Sequence, residues 1–304
     1  MVDVTIVIPT YKRPDRIMRA VQSAFHQTVS SKEIIVVDDN GKDTKEAKET
    51  MKELESFVRN HAIIYIQNDT NSGGSFSRNQ GLEIAQGKYI TFLDDDDEID
   101  PDKLEKQVQK LDELGEEYSA CYTGYHKLLE DGSSYQSDET VSGFVYPYAL
   151  SRSIYNGSGS NLLVRTSVAK EIGGYDISFK RNQDLEFMAR LLKNYKLAFV
   201  EDDLLTIHYE IREVKRSYED LVEIDKHFLE TFKTEIDSLP ENQRKAVYQI
   251  IALERWRYSL GRHAQKDAMK NMKENGVTAS VFMKYIGYLI DRVIRKKSYG
   301  FKLF

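Results

Sequence analysis

The chain has 304 residues, of which 40% are hydrophobic and 30% are charged, and it contains five prolines and a single cysteine, Cys121. This composition excludes a disordered chain, an intramolecular disulfide and a cysteine-rich zinc site. The net charge of -6 argues against a general nucleic-acid binder, because binding to a phosphate backbone needs clustered lysine and arginine. No apolar run approaches the roughly 20 residues that cross a bilayer, so we expect a cytoplasmic location.

The N-terminal third alternates short β-branched runs with helical stretches. The predicted order is a strand at Val4 to Ile8, a helix at Pro14 to Phe25, a strand at Glu33 to Val37, a helix at Thr44 to Asn60, a strand at Ala62 to Ile66, a helix at Ser75 to Ala85 and a strand at Lys88 to Leu93. Ile17, Val21, Ala24 and Phe25 recur on one side of the first helix, and we predict that they are buried. Nearly continuous apolar strands are typical of a doubly wound, mostly parallel α/β sheet, which binds ligands at the carboxyl ends of its strands.

The remaining two thirds of the chain no longer alternate strands and helices in this regular order. Tyr118 to Leu128 and Asn161 to Val164 are predicted strands, with a turn at Asp131-Gly132, so the sheet continues in mixed form. After about Tyr218 the pattern is helical to the end, with three or four helices separated near Pro240, Gly261 and Gly276. We therefore predict a first domain over residues 1–218 and a helical C-terminal region over 219–304.

The sharpest chemical feature is the run Asp94-Asp95-Asp96-Asp97, which follows a buried strand. Adjacent like charges repel, and a cluster of carboxylate oxygens suits a hard cation such as Mn2+ or Mg2+. Such a metal is usually shared between one or two carboxylates and substrate phosphates. The alternative is an acidic segment that precedes the helix near Pro101 and meets the positive end of its dipole.

Two further segments lie at the same predicted edge of the sheet. Asp38-Asp39 ends the second strand and could accept hydrogen bonds from a base or ribose, or else Asp39 forms an Asx turn with Asn40-Gly41. Arg78, which follows a glycine-containing loop, offers a guanidinium to a phosphate or pairs with a neighbouring aspartate. The first strand is not followed by the Gly-x-Gly-x-x-Gly pattern of dinucleotide-binding proteins.

Taken together, these segments resemble the family-2 glycosyltransferases of the GT-A fold. The resemblance covers roughly residues 3 to 195 and rests on segments that occur in the family's order. They are Thr5-Ile-Val-Ile-Pro9-Thr10-Tyr11, Val37-Asp38-Asp39, Ser77-Arg78-Asn79-x-Gly81, Phe92-Leu93-Asp94-Asp95-Asp96-Asp97, and Gly173-Gly174-Tyr175-Asp176 followed by Gln183-Asp184-Leu185-Glu186-Phe187. The family usually has Glu-Asp where this chain has Gln183-Asp184, and the second acid is retained.

The resemblance implies a nucleotide-sugar half over about residues 1–100 and an acceptor half over about 101–218. It implies that Pro9, Tyr11 and Asp39 hold the base, normally uracil, and that Arg78 lies near the base and diphosphate.

The same resemblance assigns roles to the acids. Asp94 and Asp96 form the family's Asp-x-Asp motif, with Asp95 beside the donor sugar or ribose and Asp96 as the direct ligand of Mn2+ or Mg2+. Asp184 matches the catalytic base, and its alternative is a first-turn carboxylate that interacts with the helix dipole. His208 is a candidate metal or diphosphate ligand, or else a structural histidine.

The segment from Ala279 to Phe304 carries a charge of +5, while the rest of the chain carries -11. We expect a helix here with one apolar side, formed by Phe282, Tyr285, Ile286, Leu289, Val293 and Ile294. A basic amphipathic helix can lie on an anionic membrane surface, here the inner face of the cell membrane. The alternative is a helix docked on the catalytic domain or on a second subunit of a homo-oligomer.

We therefore predict an inverting, metal-dependent glycosyltransferase, a hexosyl- or N-acetylhexosaminyltransferase. It would use a nucleotide-sugar donor, with UDP expected, and a cell-surface or lipid-linked glycan acceptor. Two alternatives are a nucleotidyltransferase, which usually has a glycine-rich basic loop where this chain has Pro9-Thr10-Tyr11, and a nucleotide-sugar-binding protein without turnover. Lys215-Arg216 are candidate residues of a phosphate-contacting lid.

Overall fold

The computed structural model describes residues 2–209 and 216–304. Its contacts divide the chain into two compact units. Unit 1 comprises the described residues up to Phe144 together with Asn156–Tyr209, and unit 2 comprises Val145–Tyr155 together with the described residues from Arg216 onward. The short segment 145–155 therefore groups with the C-terminal helices, although it lies within the sequence range of the predicted first domain.

The strands are β1 (Val4–Thr10), β2 (Lys32–Asp38), β3 (Ile64–Gln67), β4 (Tyr89–Phe92), β5 (Asp97–Ile99), β6 (Tyr118–Leu129), β7 (Ser134–Ser137), β8 (Leu163–Arg165), β9 (Lys196–Tyr209) and β10 (Lys297–Ser298). The helices are α1 (Ile17–Phe25), α2 (Lys45–Arg59), α3 (Gly74–Ile84), α4 (Lys103–Glu113), α5 (Tyr146–Leu150), α6 (Thr166–Glu171), α7 (Gln183–Leu191), α8 (Tyr218–Thr231), α9 (Lys233–Ser238), α10 (Glu241–Ser259), α11 (Gln265–Glu274) and α12 (Ala279–Arg295). A single 3-10 turn, Gly159–Asn161, precedes β8 in the described part of the chain.

The sheet of unit 1 has a parallel half and a mixed half. Strands β3, β2, β1 and β4 are adjacent and parallel, and the order continues from β4 through β8 and β6 to β7 in antiparallel pairs. The long strand β9 runs parallel to β6 and also pairs with β5 in antiparallel fashion. The predicted α/β fold with a mixed, mostly parallel, doubly wound sheet is confirmed.

Helix α1 packs against the centre of this sheet. Ile17, Val21 and Ala24 are fully buried with β1 and β2, as predicted from their spacing. Phe25 is 45% exposed, so the prediction that it belongs to the buried stripe is wrong. Its ring meets Phe57 of α2 edge-on at the surface, because at 3.6 residues per turn Phe25 lies outside the arc of Ile17, Val21 and Ala24.

Unit 2 is built from helices around two buried clusters. Ile250 and Leu253 of α10 pack with Tyr285 and Tyr288 of α12 and with Phe301. The predicted breaks near Pro240, Gly261 and Gly276 each lie between helices, but the described residues form five helices here rather than three or four, because α8 and α9 are separate. None of the helices in the described ranges is long and apolar enough to span a bilayer.

A buried ion-pair triad ties segment 145–155 to the helices of unit 2. Asp225 on α8 is 1% exposed and accepts hydrogen bonds from Arg152 (2.6 Å) and Arg255 (2.7 Å). Both guanidinium groups are mostly buried as well. Removing the carboxylate would therefore leave two cations without a counter-charge.

We predict that Asp225→Ala lowers the free energy of unfolding by about 3–5 kcal/mol, the usual cost of breaking a buried pair. Urea denaturation followed by circular dichroism measures this. Asp237→Ala is the matched control, because Asp237 pairs with Lys233 at the exposed surface of α9 and should change stability little. Equal stabilities of the two variants would contradict the prediction.

Candidate active site

The carboxyl ends of four parallel strands bring the predicted site residues to one edge of the sheet. Thr10 of β1 lies opposite Asp38 of β2, Asp38 lies opposite Gln67 of β3, and Phe92 of β4 lies opposite Val7 of β1. The segments that follow these strands carry the acid segment 94–97, residues 11–13 and the loop 68–73. The sheet therefore gathers segments far apart in sequence.

Arg13 is the first counter-charge of the acid segment. Its Nη1 donates to Asp95 (2.8 Å) and to Asp96 (2.6 Å), and Thr10 Oγ1 also donates to Asp95 (2.8 Å). Arg19 of α1 donates to the backbone carbonyl of Asp96 (2.7 Å). Two adjacent carboxylates are thus held by one guanidinium, a role for Arg13 that the sequence did not predict.

Burial raises the pKa values of Asp95 and Asp97. Asp95 is 4% exposed, and its burial raises its pKa from 3.8 to about 6 although Arg13 acts in the opposite direction. Asp97 is also buried, and its pKa is raised first by burial and then by the charge of Asp94. Ser158 and Ser160 donate to Asp97 at 2.7 and 2.6 Å, so this carboxyl is directed at the 3-10 turn.

Arg78 is the second counter-charge. Its Nη2 donates to Asp94 (2.5 Å), its Nη1 donates to Gln183 (3.3 Å), and its guanidinium carbon lies 5.4 Å from the centre of the Tyr175 ring. Its Nε is buried and has no hydrogen-bond partner among the described groups. The predicted pairing of Arg78 with a neighbouring aspartate is therefore observed, and its role at a phosphate stays a prediction, because a guanidinium paired with Asp94 can also face a phosphate.

The Ser-Arg-Asn-x-Gly motif has structural roles beyond that of Arg78. Asn79 donates to the carbonyl of Tyr175 (2.8 Å) and accepts from its N–H (2.7 Å). A Cβ on Gly174, where φ is +69°, would lie 2.4 Å from Asn79 Oδ1. A Cβ on Gly81 would lie 2.4 Å from a methyl group of Val7, so glycine lets α3 approach β1 closely.

Asp184 lies in the first turn of α7. It is half-buried, and a Cβ on Gly159 would lie 3.7 Å from the Cβ of Asp184, which places it beside the 3-10 turn. Its pKa is raised, first by burial and then by the charge of Asp94, while Arg78 and the first backbone N–H groups of α7 oppose the rise. A carboxyl with a raised pKa is better suited to take up a proton.

Aromatic stacking fixes α7 against the end of β4. The rings of Tyr175 and Phe187 stack with their centres 4.4 Å apart, and both meet Phe92 edge-on at 5.0 and 6.0 Å. Asp184 therefore occupies a defined position relative to the acid segment, which follows β4 directly.

Asp39 organises the loop after β3. It is 3% exposed and accepts four hydrogen bonds, from the side chains of Asn68 and Asn71 (2.7 and 2.8 Å) and from the N–H groups of Ser72 and Gly73 (2.9 and 2.7 Å). The Asx-type bond considered for Asp39 is made by Asp38 instead, whose Oδ1 accepts from the N–H of Asn40 (2.8 Å). The base-binding role of Asp39 remains a prediction.

Tyr11 and Pro9 lie on the outer side of the same edge. The Tyr11 ring is 41% exposed, with Lys12 Nζ 5.1 Å from its centre, and Pro9 is partly exposed opposite Val37. An exposed ring at the end of β1 has a face available for stacking on a base.

His208 lies near the acid segment through the pairing of β9 with β5. Ile207 is opposite Asp97 in that pairing, and the Nε2 of His208 is 3.4 Å from Glu98 Oε2. Over residues 2–209 and 216–304, no group of three or more His, Cys, Asp or Glu side chains could hold a metal by itself. The predicted lid residue Lys215 lies outside the described residues, and the carbonyl of Arg216 accepts from Arg262 Nε (3.2 Å).

The chemistry of the donor set fits a divalent cation that is shared with a substrate. Asp94, Asp95 and Asp96 outnumber the guanidinium groups of Arg13 and Arg78, and Asp184 adds a further acid. Mg2+ and Mn2+ prefer oxygen ligands and are commonly held by one or two carboxylates plus phosphate oxygens. A metal held by these acids would share its coordination between one or two carboxylates and the phosphates of a substrate.

A mixed, mostly parallel sheet with an acidic segment at the carboxyl ends of its strands is typical of GT-A glycosyltransferases. The model of the family described as glycosyl transferase family 2 matches residues 5–173, which is more than half of the chain, and the chain belongs to that family.

Similar proteins agree with this assignment. An uncharacterized glycosyltransferase of Methanocaldococcus jannaschii is 29% identical over 212 residues, 66% of this chain and 69% of that protein. The putative teichuronic acid biosynthesis glycosyltransferase TuaG of Bacillus subtilis is 35% identical over 130 residues, 43% of this chain and 49% of that protein, so the chain spans about half its length. The crystal structure of S. aureus TarS 1-349 in complex with UDP-GlcNAc shares the fold, with a TM-score of 0.63 at 20% identity over 96% of this chain and 81% of that one.

We predict that Arg13→Gln lowers stability by about 2 kcal/mol in metal-free buffer, because Asp95 and Asp96 lose their shared cation. Adding Asp95→Asn to Arg13→Gln should recover part of the loss, since the repulsion between Asp95 and Asp96 then disappears. Thermal unfolding in EDTA measures both, with Lys12→Gln as the neighbouring control. A double variant no more stable than Arg13→Gln would show that charge repulsion is not the cause.

Proposed function

We propose that the protein transfers a sugar from a nucleoside-diphosphate donor, a UDP-hexose or UDP-N-acetylhexosamine, to an acceptor hydroxyl with inversion at the anomeric carbon. The observation that carries the proposal is the position of Arg78. It pairs with Asp94 at 2.5 Å and interacts electrostatically with Asp184, so one cation lies between the acid segment and a carboxyl of raised pKa. A leaving diphosphate and an attacking hydroxyl need such groups on either side.

The donor's base would lie on the exposed ring of Tyr11, beside Pro9. Asp39 would help to bind the base either directly or through the loop 68–73, from which it accepts four hydrogen bonds. Asp95 would lie beside the ribose or sugar. The uridine specificity is supported by the UDP-GlcNAc complex of the structurally similar TarS.

Asp96 would hold Mn2+ or Mg2+ together with the donor's phosphates, and His208 is a candidate ligand of the metal or of the diphosphate. When bound, such a metal neutralises charge that develops on the leaving diphosphate. Arg13 and Arg78 pair with the same acids. They would therefore keep the segment compact whether or not the metal is present.

Asp184 would take the proton from the acceptor hydroxyl as it attacks the anomeric carbon. Only the ionised carboxylate can accept this proton. Because burial and Asp94 raise the Asp184 pKa above 3.8, activity should rise with pH through that raised value rather than near 3.8. One base and one direct attack give inversion.

The acceptor would be a hydroxyl of a cell-surface or lipid-linked glycan, reached at the inner face of the cell membrane. The similarity to TuaG, a putative teichuronic acid biosynthesis glycosyltransferase, supports this class. A panel of nucleotide sugars with Mn2+, scored for donor hydrolysis and for thermal stabilisation, tests the donor class.

We predict that Asp184→Asn keeps the dissociation constant for UDP but lowers the transfer rate by about 100- to 10,000-fold, because an amide cannot accept the proton. Stopped assays with the best donor of the panel and isothermal titration with UDP measure the two quantities. The variant should unfold at the same temperature or higher, since burial disfavours the charged form of Asp184. Near wild-type transfer would remove Asp184 from the mechanism.

We predict that Asp96→Asn removes the Mn2+-dependent part of UDP binding, because a metal ligand is lost. Titration of UDP with Mn2+ and with EDTA gives that difference for each variant. Asp100→Asn is the control, since Asp100 is an exposed acid four residues further along the chain. Tight UDP binding in EDTA by the unmodified protein would argue that no metal is needed.

A further inference from the structure

Helix α12 has one apolar face that is docked in unit 2 and a neighbouring apolar face that is exposed. One face is docked on α10 and its neighbours, where Tyr285 and Tyr288 are buried and Phe282 and Leu289 are partly buried. The predicted apolar side is therefore divided between two environments. Tyr285 is buried and Phe282 and Leu289 are partly buried in the core of unit 2, while Val293 and Ile294 are exposed.

The second face is exposed to solvent. Met283 is 65% exposed, Ile290 53%, Val293 65% and Ile294 76%, and a Cβ on Gly287 would meet nothing within 4 Å. At 3.6 residues per turn, these positions fall within an arc of roughly 120° that excludes every docked residue. Isolated exposed apolar residues are common, but a continuous stripe over several turns marks a contact surface. We call Met283, Gly287, Ile290, Val293 and Ile294 the outward face.

Basic residues border the outward face on one side and at its end. Lys284 and Arg295 are exposed along one edge, and Lys296 and Lys297 follow at the C-terminal end of α12. The one acid of the helix, Asp291, accepts from Arg295 Nη1 (3.3 Å) and from the Tyr299 hydroxyl (2.5 Å). The surroundings of the outward face are therefore positive.

We propose that the outward face lies on a membrane surface that carries anionic lipid headgroups. Its apolar side chains would enter the boundary between headgroups and acyl chains, and the bordering lysines would contact lipid phosphates. A second copy of this chain fits less well, because pairing two outward faces would bring their basic borders together. The charge of -11 on the rest of the chain would be repelled from the same surface, so only α12 would approach it.

Vesicle co-sedimentation of the full chain tests the proposal. We expect binding to vesicles of phosphatidylcholine with phosphatidylglycerol, weakened by salt, and little binding to phosphatidylcholine alone. Ile290→Glu and Ile294→Glu should each reduce vesicle binding about tenfold, because each removes an aliphatic side chain that the membrane would bury. Met269→Glu is the matched control, since Met269 of α11 is similarly exposed at 61%. Point substitutions are preferable to removing α12, which would take Tyr285 and Tyr288 out of the core of unit 2.

Sedimentation velocity and UDP titration on the same variants distinguish membrane binding from self-association and from damage to the active site. Unchanged UDP binding is expected, so failure of vesicle binding would leave the proposed transferase function untouched. Three results would overturn the inference. They are absence of binding to anionic vesicles, equal binding by the Ile290, Ile294 and Met269 variants, and dissociation of a dimer by Ile290→Glu without any change in vesicle binding.

Discussion

The site depends on the compensation of a run of carboxylates by two arginines from different parts of the chain. Four adjacent acids at the end of a buried strand repel one another, and burial makes each charge more costly. Arg13, from the end of β1, and Arg78, from α3, approach the run from two sides and bind different members of it. This charge compensation is possible because the strand order brings Arg13, Arg78 and the acids to the same edge of the sheet.

A second set of contacts connects the two halves of unit 1 across this edge. Asn79 follows Arg78 directly, and its side chain makes two hydrogen bonds to the backbone of Tyr175. The ring of Tyr175 in turn stacks on Phe187 of α7. The helix that carries Asp184 is therefore positioned by the helix that carries Arg78. Arg78, proposed to face the donor, and Asp184, proposed to act on the acceptor, are therefore held by the same contacts. The distance between them is set by the hydrogen bonds of Asn79 and by the stacking of Tyr175 on Phe187.

Much of this could be predicted from the sequence, and the exceptions share a cause. Apolar runs and acidic clusters are local signals, so β1, β4 and the acid segment were predictable. Arg13 was not identified, because a basic residue after a strand has no pattern until the fold places Asp95 and Asp96 beside it. Similarly, periodicity could show that α12 is apolar, but only the packing of Tyr285 against α10 separates its docked face from its outward face.

The contacts of Asn79 with Gly174 and Tyr175 have a consequence for exchanging segments between family members. Gly174 has a positive φ and no room for a side chain, because Asn79 occupies the space where a Cβ would stand. A chimera joined between residues 100 and 160 would take its Asn79 from one parent and its Gly174 and Tyr175 from the other. Recombinants should therefore keep the packing of Gly174 and Tyr175 against α3 only where both parents supply this matched pair, whatever their overall similarity.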